Sequence, residues 1–283
     1  MAGAAATEYR CSPVLNDTRR TRLSLRSCEH TLASKCGFQN TLLEAQGTCK
    51  PMDSDMPPPA MSFFPGTEAS ELGCISRSCK FGRALWCLAR GMNTAIELFT
   101  GVGGGSTLLL AHALSGAFHR RQGHKRLSYF FTMERHLGNA YHAQNILESV
   151  GIPAQILSLA RPEGLNARMA ALVKETPGVW ILHGDVFDNL GVFDALCSST
   201  GIGSLDLVML DPPLDLRGLW PLLDRACKPK FLAVHNANLP GHAGWLPAHL
   251  RRTTGSWYEM MNGSHPSVWE RGERSWSLMG RCW

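Results

Sequence analysis

Between residues 94 and 107 the chain reads Thr-Ala-Ile-Glu-Leu-Phe-Thr-Gly-Val-Gly-Gly-Gly-Ser-Thr, an apolar strand run that meets a cluster of glycines and then hydroxyl residues suited to open a helix. This order constrains the fold more than any other feature of the chain, because a strand, a glycine turn and a helix in succession make the first unit of an α/β sheet. Gly101, Gly103 and Gly105 let the backbone approach a ligand where a Cβ would obstruct it. A helix beginning near Ser106 aims its unpaired N–H groups and the positive end of its dipole into the same space. The stretch reads as a cofactor cradle.

The 283 residues suit one large domain, or one of about 200 residues with an extension. An apolar content of 44% is ordinary for a soluble globular protein, and no run approaches the roughly 20 apolar residues of a membrane helix, so a soluble, cytoplasmic protein without a membrane partner is expected. The net charge of +5 is mild and its basic residues are scattered, which permits nucleic-acid binding without favouring it. Seven of the ten cysteines lie in the first 87 residues, but no Cys-x-x-Cys pair occurs and no apolar signal segment opens the chain. Reduced thiols are therefore expected, with an N-terminal zinc site as the sharper alternative. The composition says nothing of oligomeric state.

Residues 1–66 show no sustained helix or strand period and include the breaker run Pro51 to Ala60, so they read as a loosely ordered extension and linker before a domain at 67–283. Apolar spacing predicts a helix over 68–90 that ends at Gly91, and after the glycine loop a helix over 107–118. Strands are predicted at 127–133, 179–183, 205–210 and 230–235, and helices at 136–149 and 219–227. Residues 154–176 read as an inserted helical excursion in which 154–159 could itself be a strand, and Trp257, Tyr258, Trp269, Trp276 and Leu278 mark late, antiparallel edge strands. The alternation makes a doubly wound, mostly parallel sheet the expected α/β fold.

Ligands of such sheets bind beyond the carboxyl ends of the strands, where this chain carries Glu97 with the glycine loop, Glu134, Asp185, Asp211, and His235 with Asn236. Taken singly, Glu134 reads as a helix-start residue and Asp185 as a cap; in order, each at a strand end, they read as one site. The loop lacks the third glycine of a dinucleotide site, which would fall at Ser106 or Leu108. Glu97 followed by Gly101-x-Gly103-x-Gly105 instead resembles the first motif of class I S-adenosylmethionine-dependent methyltransferases, a resemblance that spans roughly residues 75–280. It implies a Rossmann-like methyltransferase fold. It also implies that S-adenosyl-L-methionine is the cofactor, held by Glu97, Gly101, Gly103, Gly105 and Ser106 at its methionine moiety. Glu134 would then hold the ribose, and Asp185 with Val186 the adenine. Asp211 lies at the same crevice.

Within that class, Leu210-Asp211 and the run Ala233 to Gly241 look most like the small-molecule O-methyltransferases related to the catechol and caffeoyl-coenzyme A enzymes. Those hold a divalent cation with an aspartate after the fourth strand and an Asp-Asn pair after the fifth. Here the pair is His235-Asn236, so a magnesium site on Asp211 and Asn236 lacks one carboxylate, and hard cations prefer oxygen ligands. His235 becomes a candidate general base beside Asp211, acting on the hydroxyl of a small-molecule acceptor. The helix carrying Phe81 and Trp86, and the loop at 242–245, are the expected walls of the acceptor pocket. Two other readings stay open. Asp211-Pro212-Pro213 resembles the motif of methyltransferases acting on amines of nucleic acid or protein, though Leu214 stands where an aromatic residue would stack. A cofactor-binding protein without turnover is the other.

Overall fold

The computed structural model describes residues 56–57, 75, 79–101, 103–120, 128–159, 165–175, 178–199, 202–211, 217–237, 245–253, 256–266 and 273–281. Helix α1 (Lys80–Ala89) starts where the Cys79 sulfur accepts a hydrogen bond from Gly82 N at 3.2 Å, and it buries Phe81, Leu85, Trp86 and Leu88. There follow β1 (Thr94–Leu98), α2 (Ser106–Arg120), β2 (Tyr129–Glu134), α3 (Leu137–Ser149), β3 (Ala154–Ser158), α4 (Leu165–Glu175) and β4 (Gly178–His183). A short α5 (Val192–Asp194) runs into a π turn (Ala195–Ser199), and the chain continues through β5 (Leu207–Leu210), α6 (Trp220–Cys227) and β6 (Phe231–His235). Helix α7 (Trp245–Thr253) and strands β7 (Trp257–Pro266) and β8 (Glu273–Arg281) complete the sequence of elements. Trp269 lies outside the described residues.

The strands form one sheet in the order β3-β4-β2-β1-β5-β6-β8-β7, parallel from β3 to β6, with the β6/β8 and β8/β7 pairs antiparallel. This is the doubly wound, mostly parallel arrangement that the alternation of elements predicts, and it agrees with the Rossmann-like fold that the resemblance implies. The excursion at 154–176 resolves into a strand and a helix. β3 takes the outer edge beside β4, and the edge shows in its pattern: Ala154 and Leu157 are buried while Gln155 and Ser158 are exposed. From β1 the chain winds through β2 and the β3/β4 pair on one side, then crosses to lay β5 and β6 on the other. The reversal falls between β1 and β5, so the crevice opens at the carboxyl ends of those two strands.

Two cores cover the two faces of the sheet. Ala95, Phe130 and Ile181 meet Leu85, Leu110 and Ile146 from α1 to α3; Ile96, Leu98, Phe131 and Trp180 meet Met169, Leu223 and Leu250 from the helices opposite. The two-residue period of β1 sends Glu97 to the first face, among apolar side chains, where a carboxylate needs hydrogen-bonding partners.

Three expectations change. Met56, inside the run read as a linker, is 4% exposed and packs in the first core, so the packed unit reaches back beyond residue 67. Cys197 and Cys227 are joined by a disulfide, and Cys87 is disulfide-bonded as well, in place of the reduced thiols that spacing predicts. The first bridge spans 30 residues and ties the π turn to the end of α6, which in the chain-entropy account stabilises the fold by about 3–4 kcal/mol. The predicted helix at 68–90 is described from Lys80 onward. Cys79 caps α1, while Cys11, Cys28, Cys36, Cys49 and Cys74, and with them the zinc alternative, lie outside the described residues. No helix among the described residues is long and apolar enough to cross a membrane.

Candidate functional site

Glu97 has no exposed surface, and three hydroxyls converge on its carboxylate. Ser106 Oγ donates to Oε1, Thr107 Oγ1 to Oε2 at 2.5 Å and Thr132 Oγ1 to Oε2 at 2.9 Å. Thr132 stands opposite Glu97 in the β1/β2 register, so it is the cross-strand neighbour on the same face. Thr100 extends the network, because its hydroxyl donates to that of Thr132 and lies 3.0 Å from Met133 O. Glu97 thus ties the helix end of the glycine loop directly, through Ser106 and Thr107, and the strand end through Thr132.

Burial without a cation raises the Glu97 pKa from 4.5 to about 7; the field of Asp211 adds to the rise, and the three hydroxyls oppose it. The unfolded chain therefore releases this proton near pH 4.5 while the folded chain keeps it to about pH 7. Stability from this group is full below pH 4.5, falls as pH rises to about 7 and is level above that. The 2.5-unit gap corresponds to about 3 kcal/mol. Glu97→Gln keeps the shape and is neutral throughout, so relative to wild type it is expected to gain about that much stability between pH 4.5 and 8. Urea unfolding of both proteins across this range measures the difference, and a pH-independent difference would refute the protonated state.

Glu134 closes β2 at 5% exposure. Its Oε1 accepts from His136 N at 2.8 Å, so the helix-start reading is true of one oxygen, while none of the described residues engages Oε2. The β2/β4 register sets Glu134 against His183, and Gly184 N donates to Glu134 O at 3.0 Å, which brings the turn carrying Asp185 alongside. Asp185 is half-buried and its Oδ1 accepts from Phe187 N at 2.9 Å, while Val186 is buried in the second core. The loop glycines divide by role. At Gly101, φ is +58° and an added Cβ would touch nothing, so this corner faces open space. Gly103 faces α3 instead, with Ala143 2.4 Å from where its Cβ would lie.

Across the switch point, Asp211 Oδ1 lies 2.9 Å from His235 Nδ1 and accepts from Asn236 Nδ2 at 2.5 Å. A carboxylate has no proton to give, so Nδ1 carries it. The structure seats His235 differently from the expectation that it meets an acceptor itself. Its ring has no exposed surface and stacks on Phe81 at 5.6 Å, and Phe81 in turn stacks on Trp276. Asp211, with its side chain 23% exposed, is the member that reaches the crevice.

The same contacts correct two other expectations. Asn236 turns its amide nitrogen to Asp211, and its Oδ1 is buried without a partner, so the pair presents a hydrogen-bonded anion and not an oxygen set for magnesium. No group of three or more candidate ligand side chains occurs among the described residues. Phe81 and Trp86 are core residues at 0% and 3% exposure. Trp245 is half-buried at the start of α7, with the Arg217 guanidinium 5.6 Å over its ring. Residues 242–244 and Pro212, Pro213 and Leu214 lie outside the described residues.

Two residues that the sequence pattern does not mark belong to this site. Thr132 would be found only by aligning β2 with β1. Phe99, between Glu97 and Gly101, has φ +76°, a turn that no spacing rule attaches to phenylalanine.

No family model matches the chain, and no curated protein does. Among solved structures it is similar to an O-methyltransferase from Bacillus cereus in complex with SAH, at 14% identity and a TM-score of 0.49, over 84% of this chain and 94% of that one. It is also similar to a methyltransferase from Geobacter sulfurreducens, at 18% identity and a TM-score of 0.44, over 74% and 80% of the two chains. A third is the C-terminal domain of precorrin-6Y C5,15-methyltransferase from Rhodobacter capsulatus, at 14% and 0.44, over 80% and 98%. Each is a methyltransferase. Folds host many activities, so function is read from the side chains of the site itself.

Proposed function

We propose that this protein is an S-adenosylmethionine-dependent methyltransferase acting on a hydroxyl group of a small molecule. The observation that supports the reading is the set of three carboxylates around an open loop: Glu134 and Asp185 on neighbouring strand ends, and Asp211 across the switch point. The residues fit the cofactor. The open corner at Gly101 leaves room along the loop, Oε2 of Glu134, which no described residue engages, suits ribose hydroxyls, and Asp185 suits an exocyclic amine. When bound, S-adenosylmethionine supplies a methyl group on a positively charged sulfur.

The chain itself has to align an acceptor with that methyl group and exclude water. Asp211 takes the hydroxyl proton. His235 and Asn236 both bond its Oδ1, which leaves Oδ2 for the acceptor, and the stack of Phe81 on His235 fixes the ring that holds it. His235 is in this reading a positioning residue. Calorimetry with S-adenosylhomocysteine tests the donor side. The wild type is expected to bind, and Glu134→Ala to bind at least about tenfold more weakly, because hydrogen bonds to a charged group are worth roughly 1.5–3 kcal/mol. A wild type that does not bind, or a variant that binds equally well, would overturn the reading. Labelled S-adenosylmethionine offered with hydroxyl-bearing small molecules, RNA and protein tests the acceptor side. Transfer to RNA or protein alone would replace the acceptor class, and binding without any transfer would replace the enzyme.

A further inference from the structure

Three described residues other than glycine have positive φ: Phe99 at +76°, Lys228 at +42° and Asn236 at +56°. Lys228 caps the end of α6, a place where the left-handed region is common, and asparagine enters that region readily. Phenylalanine does not, and at position 99 its own side chain opposes the backbone. Contacts from β2 hold the corner in place. Met133 O accepts from Phe99 N at 3.1 Å and from Thr100 N at 3.0 Å, Thr100 Oγ1 lies 3.0 Å from it, and the Thr100–Thr132–Glu97 network anchors the next residue.

The turn changes where the ring goes. Alternation along β1 sends Ile96 and Leu98 to the second core and Glu97 to the first, so a regular strand would send residue 99 after Glu97. The ring instead packs, half-buried, against the cluster that holds Leu98. The β1/β5 register sets Leu98 opposite Leu210, so the corner at Phe99 adjoins the one at Asp211. Beyond Asp211, after β6, Ala237 and Trp245 are half-buried against the same cluster. A glycine would take this turn unopposed, so what phenylalanine adds at the corner is its ring.

We propose that Phe99 is a specificity-determining residue whose ring walls the crevice between the glycine loop and Asp211 and selects ligands that carry an amino-acid arm on sulfur. The inference rests on the donor reading above, in which the loop takes the methionine moiety while Glu134 and Asp185 take the adenosine.

Calorimetry on wild type, Phe99→Gly and Phe99→Ala tests it, with S-adenosylhomocysteine and 5′-methylthioadenosine as probes and thermal unfolding alongside. Both probes carry the adenosine and the sulfur, but only the first carries the amino-acid arm. Both variants are expected to lose about tenfold or more in affinity for S-adenosylhomocysteine and to stay within about threefold for methylthioadenosine. Phe99→Gly is expected to melt above Phe99→Ala, because glycine takes the positive φ without strain while both lack the ring. Equal weakening of both probes, or no change in either, would overturn the role of Phe99 and leave the donor reading standing. A wild type that binds neither probe would overturn the donor reading, and this inference with it.

Discussion

Asp211→Asn is expected to slow methyl transfer by about 10²–10⁴-fold, the usual contribution of a positioned general base, while S-adenosylhomocysteine binds as it does to wild type. Asparagine keeps the shape of the side chain, and its oxygen still accepts from His235 Nδ1 and Asn236 Nδ2. What it cannot do is take a proton. A matched variant separates the base from its support. His235→Phe keeps a ring to stack on Phe81 but removes the Nδ1–H that orients Asp211, so its loss is expected to be smaller and to fall on kcat more than on KM. Asp211→Asn carries an internal control as well. Its charge helps to raise the Glu97 pKa, so removing it is expected to move the Glu97 transition in stability to lower pH. Transfer within about twofold of wild type would mean that the proton leaves by another route.

Much of this was open to reading along the chain, because it depends on local order. The two-residue and 3.6-residue periods set out the strands and helices, and the order of acidic residues puts Glu134, Asp185 and Asp211 at the carboxyl ends of β2, β4 and β5. What stayed hidden depends on partners distant in the chain. His235 reads as a base until Phe81, on the first helix, covers its ring. Cys197 and Cys227 pair because the π turn meets the end of α6, a contact that Cys-x-x-Cys spacing does not address. Thr132 reaches Glu97 through strand register, and the conformation of Phe99 follows from the hydrogen bonds that Met133 O accepts. Sequence order located the carboxylates, whereas packing decided which of them face the crevice.

The glycine loop shows the same division in a form that stability measurements can read. Gly103→Ala is expected to destabilise the fold by about 2–5 kcal/mol, from roughly 1–3 for overpacking and roughly 1–2 for a side chain in the left-handed region. Its new Cβ would lie 2.4 Å from Ala143 Cβ and 2.5 Å from Ala143 Cα, with φ at +81°. Ala143 is fully buried in α3, so the backbone of the helix or of the loop has to move. Either movement disturbs binding, because α3 begins at the turn that Glu134 caps and the loop is pinned by Glu97. The cause is separable by a second substitution. Ala143→Gly alone costs about 1 kcal/mol as a glycine inside a helix, but in the Gly103→Ala background it removes one of the two colliding atoms and leaves Ala143 Cα at 2.5 Å. The double variant is therefore expected to recover only part of the overpacking cost, about 0.5–1 kcal/mol relative to the sum of the two single changes, as measured by urea unfolding. Were Gly103 required for close approach of a ligand instead, Gly103→Ala would lose S-adenosylhomocysteine binding with little loss of stability, and Ala143→Gly would restore neither.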